Sequence, residues 1–233
     1  MKRRIGDIWD AIRFRLGGGD RLSKYWDKRA TDYGKRSVLN LGHGPEEFEH
    51  VTTYQKKILF PELKSQLNGT ERTLLDFGCG PGRFTEDLAR IIGGRAIGVD
   101  PIERLLKLAP RGDDVEYRQL HHARIPCPTS SADVVWSCLV LGCIPNQKAL
   151  LCAVEEIERV LKPGGLLFLI ECTDVKPTPG HVQFRSVEAY RELFSFAPLT
   201  VLSQYDDLGD TNSVMAGRKL SQAAVTADVL PLG

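Results

Sequence analysis

Three alternating glycines, Gly78, Gly80 and Gly82, follow the acid Asp76 in the stretch LLDFGCGPGRFTEDLA. Backbone so free of side chains lets a ligand come close, and a helix starting there offers its N-terminal amides to it. A tight strand-to-helix turn without a ligand would use the same residues. The next apolar run ends in Asp100, in GVDP. A carboxylate at that place has two acceptor oxygens and suits a bidentate grip on the two hydroxyls of a ribose, or a helix N-cap, or both. A dinucleotide turn of the G-x-G-x-x-G type would need its third glycine at position 83, which is Arg83. That spacing counts against a nicotinamide-dependent oxidoreductase, which stays as an alternative. Proton transfer would need a base, and the residues whose type and place suit it are His43, in NLGHGPEEF, and Glu171, at the end of an apolar run. His50 has the same chemistry but reads as a solvated helix position.

The elements that must position these residues follow from periodicity. From Thr73 onward, short apolar runs alternate with helical segments. TLLDFG, RAIGVD, VEYRQL, ADVVWSCLVL and GLLFLIECT read as strands, and LTVLSQYDDLG and TNSVMAGRKL as two closing strands. Helices are expected over 84–92, 103–109, 147–161 and 186–194. This alternation predicts an α/β fold, a doubly wound and mostly parallel sheet covered on both faces, with ligands at the carboxyl ends of the strands. Ahead of it, residues 1–70 are expected to form a helical cap, with helices over 3–16, 20–35 and 44–67, the last broken at Pro61. Residues 71–220 make the main domain and 221–233 a loose tail.

Composition narrows the function classes. The chain has 233 residues, 42% hydrophobic and 26% charged, with a net charge of +1. That balance gives no electrostatic footprint for nucleic acid, and no basic stripe interleaved with aromatics supplies one. The 6 cysteines form no C-x-x-C pair, so they read as buried thiols of a reducing, cytoplasmic compartment rather than a disulfide frame or a metal site. No apolar run approaches the roughly 18 residues that span a bilayer. The basic, amphipathic stretch 3–16 fits packing on its own protein or on a second subunit of a homodimer better than a membrane surface.

Four stretches, LLDFGCGPGRFTEDLA, AIGVDPIERLLKLA, ARIPCPTSSADVVWSCLVLGCI and IERVLKPGGLLFLIE, resemble in order and spacing the successive motifs of the class I S-adenosylmethionine-dependent methyltransferases. The resemblance spans about Thr73 to Glu171 and implies the seven-stranded, Rossmann-like methyltransferase fold with S-adenosyl-L-methionine as cofactor. It places Gly78 and Gly80 beside the methionine part of that cofactor, Asp76 behind the loop, Asp100 on the ribose, and Pro101 and Ile102 beside the adenine. Cys138 and Leu139 match the residues after the fourth strand, near the methyl group. The family's acid–small pair that holds the adenine amine is replaced by His121 and His122. Its histidine after the fourth strand is replaced by Gly142-Cys143. SKYWDKRATDY resembles the segment that closes over the cofactor, so that Tyr25 covers it and Arg29 meets its carboxylate, although plain helix packing explains the aromatics equally. The resemblance implies a methyltransferase of a small molecule or glycan in a biosynthetic pathway. The expected acceptor atom is a hydroxyl oxygen, with His43 preferred to Glu171 as base. A non-catalytic cofactor-binding or scaffold protein is the other alternative.

Overall fold

The computed structural model describes residues 19–121, 124–177 and 180–221. The expected helix over 3–16, most of the tail and His122 lie outside the described residues. Two helices precede the sheet: α1, Gly19–Tyr33, which runs into a 3-10 turn Gly34–Val38, and α2, Phe48–Gln66. Pro61 does not break α2. Its ring stands on the exposed face, while Val51, Thr52, Gln55, Leu59 and Leu63 bury the other face on both sides of it. Packing along that face holds the two halves in one helix against the local loss of one backbone hydrogen bond.

The sheet has seven strands: β1 Thr73–Phe77, β2 Arg95–Asp100, β3 Val115–Gln119, β4 Ala132–Cys138, β5 Leu161–Cys172, β6 Thr200–Asp207 and β7 Asp210–Arg218. Their order is β3-β2-β1-β4-β5-β7-β6, with β7 antiparallel to both of its neighbours and the other pairings parallel. The helices between strands are α3 Thr85–Ile92, α4 Glu103–Leu106, α5 Gln147–Val160 and α6 Val187–Leu193. Side-chain caps start two of them. Asn146 accepts from the Ala149 N–H at 2.9 Å, and Ser186 from the Ala189 N–H at 3.3 Å. α3 ends at Gly93, in the left-handed conformation that only glycine adopts freely.

Both sheet faces are sealed. On one, α5 and α6 bury Leu150, Ile157, Tyr190 and Phe194 against β4 and β5. On the other, α2 and α3 bury Leu59, Leu63, Phe84 and Leu88 around Trp136 and Phe168, whose rings stack at 5.1 Å. Strands buried on both faces read as unbroken apolar runs, as LLFLI in β5 does. The chain order reverses between β1 and β4, so the carboxyl ends of those two strands diverge and leave a crevice there.

Candidate active site

A cavity of about 570 Å³ occupies that crevice, floored by the ends of β1, β2, β4 and β5 and roofed by α1 and the segment Val38–Leu41. At the end of β1 the chain turns through Gly78 with φ +74, its N–H donating to the Val99 carbonyl at 2.8 Å. A Cβ there would collide with Val140, so a side chain is excluded by conformation and by space. Gly80 stands just behind the wall, and its N–H donates to Asp100 Oδ2 at 3.0 Å. Asp100 Oδ1 accepts the Ile102 N–H at 2.8 Å. Each oxygen of Asp100 thus holds one amide and keeps a second acceptor site toward the cavity. Burial pushes its carboxyl up to about 6. Asp76, also in the wall, accepts from the Thr85 hydroxyl at 2.7 Å, and burial pushes it up to about 7.

The floor after β4 is clamped from two sides. Cys138 and Leu139 line the cavity, and Leu139 takes φ +59, a strained value for a branched side chain. Glu171 accepts the N–H groups of Val140 at 3.0 Å, Leu141 at 2.8 Å and Gly142 at 3.1 Å. Buried Arg185 donates to the carbonyls of Leu141 at 3.1 Å and Ile144 at 3.0 Å. An acid holding the amides and a base holding the carbonyls fix one short loop. Burial pushes Glu171 up to about 7, and the thiols of Cys138 and Cys143 up to about 12, which leaves both thiols protonated and inert at neutral pH.

In the roof, Arg29 donates to the carbonyls of Ser37 at 2.7 Å and Leu39 at 2.6 Å and to the Tyr25 hydroxyl at 3.3 Å. Tyr25 stands behind Arg29, outside the wall, and stacks on His181 of the loop after β5 at 4.3 Å. Pro101 and Ile102 line the far end together with Leu120. His121 is exposed and bridges to Arg124 instead of facing the cavity. His43 also stands outside the wall. Its Nε2 lies 2.6 Å from Asp207 Oδ1 and its Nδ1 3.7 Å from Glu47. His50 is exposed on α2.

Sequence reasoning passed over several wall residues. Arg83 served there only to exclude a dinucleotide turn, yet its side chain lines the cavity, as do Asp207, Asn212 and His181. Its signal was its place directly after the glycines. Cys172, Asp174 and Asp210 bring ligand atoms within 4.8 Å of one another, but Lys176 forms an ion pair with Asp210, so a cation already occupies that charge.

These residues fit a nucleoside cofactor. A glycine cradle comes first, then a buried acid with two spare acceptor sites, then an apolar slot of Ile102, Leu105 and Leu120 beyond it. Fold and site together define a doubly wound protein that takes such a group at its switch point. Residues 75–169 match the family described as methyltransferase domain. An uncharacterized methyltransferase of Mycobacteroides abscessus is 32% identical over 69% of this chain and 65% of its own. A demethylmenaquinone methyltransferase of Lactococcus lactis is 34% identical over 65% of this chain and 58% of its own. The match therefore spans less than two thirds of either relative's length. The solved DhpI–SAH complex shares the fold with a TM-score of 0.64 at 18% identity, covering 89% of this chain and 99% of that one. The chain belongs to the class I S-adenosylmethionine-dependent methyltransferases, and S-adenosylmethionine is the cofactor of that family.

Proposed function

We propose that this chain methylates a small, largely apolar molecule that carries an ionisable hydroxyl, at a ring carbon beside that hydroxyl or at its oxygen. The observation that carries the proposal is the single cavity that runs from Asp100 to the edge of β5 and β7. One end has the acceptors and apolar slot of a nucleoside site. The other is walled by Leu41, Ile144, Val182 and Phe184 with Lys176, Asp207, Asp210 and Asn212 at its edge, and apolar surface predominates over the cavity as a whole. Such walls favour an aromatic or aliphatic body over a glycan, whose hydroxyls would each need a partner. The Lactococcus relative's name, demethylmenaquinone methyltransferase, supports a quinol-like ring and a carbon acceptor ahead of the oxygen expected from the sequence.

When bound, the cofactor supplies a methyl group on a sulfonium, already activated for in-line displacement. The protein's part is positioning. Asp100 takes the ribose hydroxyls, the Gly78 turn carries the methionine part past the end of β1, and Arg29 in the roof is the group for its carboxylate. Glu171 and Arg185 hold the loop that shapes the acceptor's seat. We read His43 and Glu171 as positioning residues. The nitrogen of His43 nearest the cavity is bound to Asp207, and the oxygens of Glu171 are taken by three amides. The acceptor's proton then leaves to solvent rather than to either residue.

The test is calorimetry followed by a label-transfer screen of quinols, phenols, thiols, carboxylic acids and sugars. S-adenosylmethionine should bind and NADH should not. Asp100→Ala, losing charge-assisted hydrogen bonds of about 2–3 kcal/mol, should weaken cofactor binding roughly 30- to 150-fold. Labelled sugars with unlabelled quinols and phenols would refute the acceptor class.

A further inference from the structure

Three cations line the cavity, Arg29, Lys176 and Arg83, and they differ in how they are satisfied. Arg29 rests on two backbone carbonyls. Lys176 pairs with Asp210. Arg83 has neither. Its guanidinium lies over the Phe84 ring at 4.6 Å and makes one long hydrogen bond, Nη1 to the Thr52 hydroxyl at 3.4 Å. Among the described residues it forms no ion pair. The acids whose charge reaches it are occupied elsewhere: Asp76 by the Thr85 hydroxyl at 2.7 Å, Asp207 by His43 at 2.6 Å. A guanidinium has five N–H donors, so most of those of Arg83 have no acceptor among the described residues.

Arg83 is half-buried, and burial works against its charge with no anion of the protein paired to it. Methionine or leucine would fill the same space at no such cost. A ligand anion in the cavity would supply the partner that the described residues do not. It is not the nucleoside end of the cofactor. Thr52, Tyr205 and Asp207, which surround Arg83, belong to α2 and β6, across the β1–β4 switch point from Asp100. Cys138, at the end of β4 where the methyl group is expected, also lies near it.

We propose that Arg83 binds the acceptor, and that the acceptor presents to it an anionic oxygen, as a phenolate, enolate or carboxylate, on a largely apolar body. The assignment rests on the methyltransferase reading above and narrows its substrate class. It also removes the need for a base. An arginine beside a hydroxyl stabilises the ionised form, so the acceptor loses its proton to solvent on binding and the carbon or oxygen to be methylated gains electron density.

The probe pair is para-nitrophenol and nitrobenzene, one ring with and without the ionisable oxygen, titrated into protein saturated with S-adenosylhomocysteine. The pH is one at which free para-nitrophenol is ionised. The wild type should hold the nitrophenolate roughly tenfold or more tighter than nitrobenzene. Arg83→Gln should erase that preference and Arg83→Lys should keep part of it, each leaving S-adenosylhomocysteine affinity within about threefold of wild type. The absorbance of the bound dye gives a second reading from the wild type alone: bound para-nitrophenol should ionise at lower pH than free dye. The assignment is overturned if the wild type shows no preference or binds neither ring, if Arg83→Gln keeps the preference, or if the dye's ionisation is unmoved. It is equally overturned if Arg83→Gln loses S-adenosylhomocysteine while keeping the preference, which would give Arg83 to the cofactor. Failure of the wild type to bind S-adenosylhomocysteine sinks the methyltransferase reading instead. The nitrophenol preference, then measured without it, still decides Arg83.

Discussion

Glu171 and His43 show how far residue type alone carries an argument. Both have suitable chemistry, and in the fold both are engaged. Glu171 holds three amides of the loop after β4, and His43 shares its Nε2 with Asp207. If they position rather than transfer protons, their variants separate cleanly. Glu171→Gln turns an acceptor toward amides into a partial donor and should cost about 1–3 kcal/mol of stability, seen as a lower midpoint in urea. His43→Ala should leave single-turnover transfer within about threefold of wild type, with the pH profile unchanged in shape. A hundredfold loss with one limb of the profile removed would make His43 the base after all. The places of Gly78, Asp76 and Asp100 in the cavity wall were legible beforehand because the backbone fixes them, and sequence spacing encodes the backbone directly. Arg83 and Asp207 were not. Their partners lie on α2 and on the segment before it, far along the chain, and no local pattern records where a long side chain ends.

At the scale of elements, the central strands β1, β2, β4 and β5 were legible because each is largely a run of apolar residues buried on both faces. The misreadings cluster where one tertiary contact overrides a local signal. ADVVWSCLVL looks like a single long strand, yet β4 stops at Cys138. There Leu139 swings to positive φ and the Glu171–Arg185 clamp draws the following residues into a 3-10 turn, Leu141–Cys143. The helix expected over 103–109 shrinks to Glu103–Leu106. α2 is the reverse case: a proline that should end a helix sits inside one. Pro61 is exposed, so replacing it disturbs no core contact. Pro61→Ala restores one backbone N–H and removes the ring's clash with the preceding turn. Ala exceeds Pro by about 3 kcal/mol in an unrelaxed helix interior, and the unfolded chain gains back some entropy with Ala. The expected net is about 1 kcal/mol of added stability, measurable as a rise in thermal midpoint. A lower midpoint would mean that α2 is built around its proline, with the bend needed to reach the sheet.

The whole molecule carries an electrostatic signature of having its chemistry inside. Burial raises three carboxyls that line the cavity, Asp76 and Glu171 to about 7 and Asp100 to about 6. In the unfolded chain such groups titrate near 4. Between those values the native protein binds more protons than the unfolded chain, so its stability falls as pH rises through the window from about 4 to about 7. Carboxylates away from the cavity push the other way only below that window. Glu71 and Asp133 are held low by hydrogen bonds and by Arg218 and Lys162, and their contribution is lost only as pH drops under the ordinary carboxylate range. His181, lowered by burial and by Arg29, also opposes, but as one group against three. The ligand-free protein should therefore be most stable at about pH 4 and lose stability steadily up to about pH 7. Urea midpoints across that range would read it. Asp100→Asn and Glu171→Gln, each deleting one titrating group, should each flatten the slope. Ribose hydroxyls donating to Asp100 favour its charged form, so S-adenosylhomocysteine should stabilise the protein more at the alkaline end, where Asp100 is already ionised. A stability that is level or rises from about pH 4 to about pH 7 would mean that these acids are solvated in the free protein, and that the crevice between β1 and β4 stands open to water until its ligands close it.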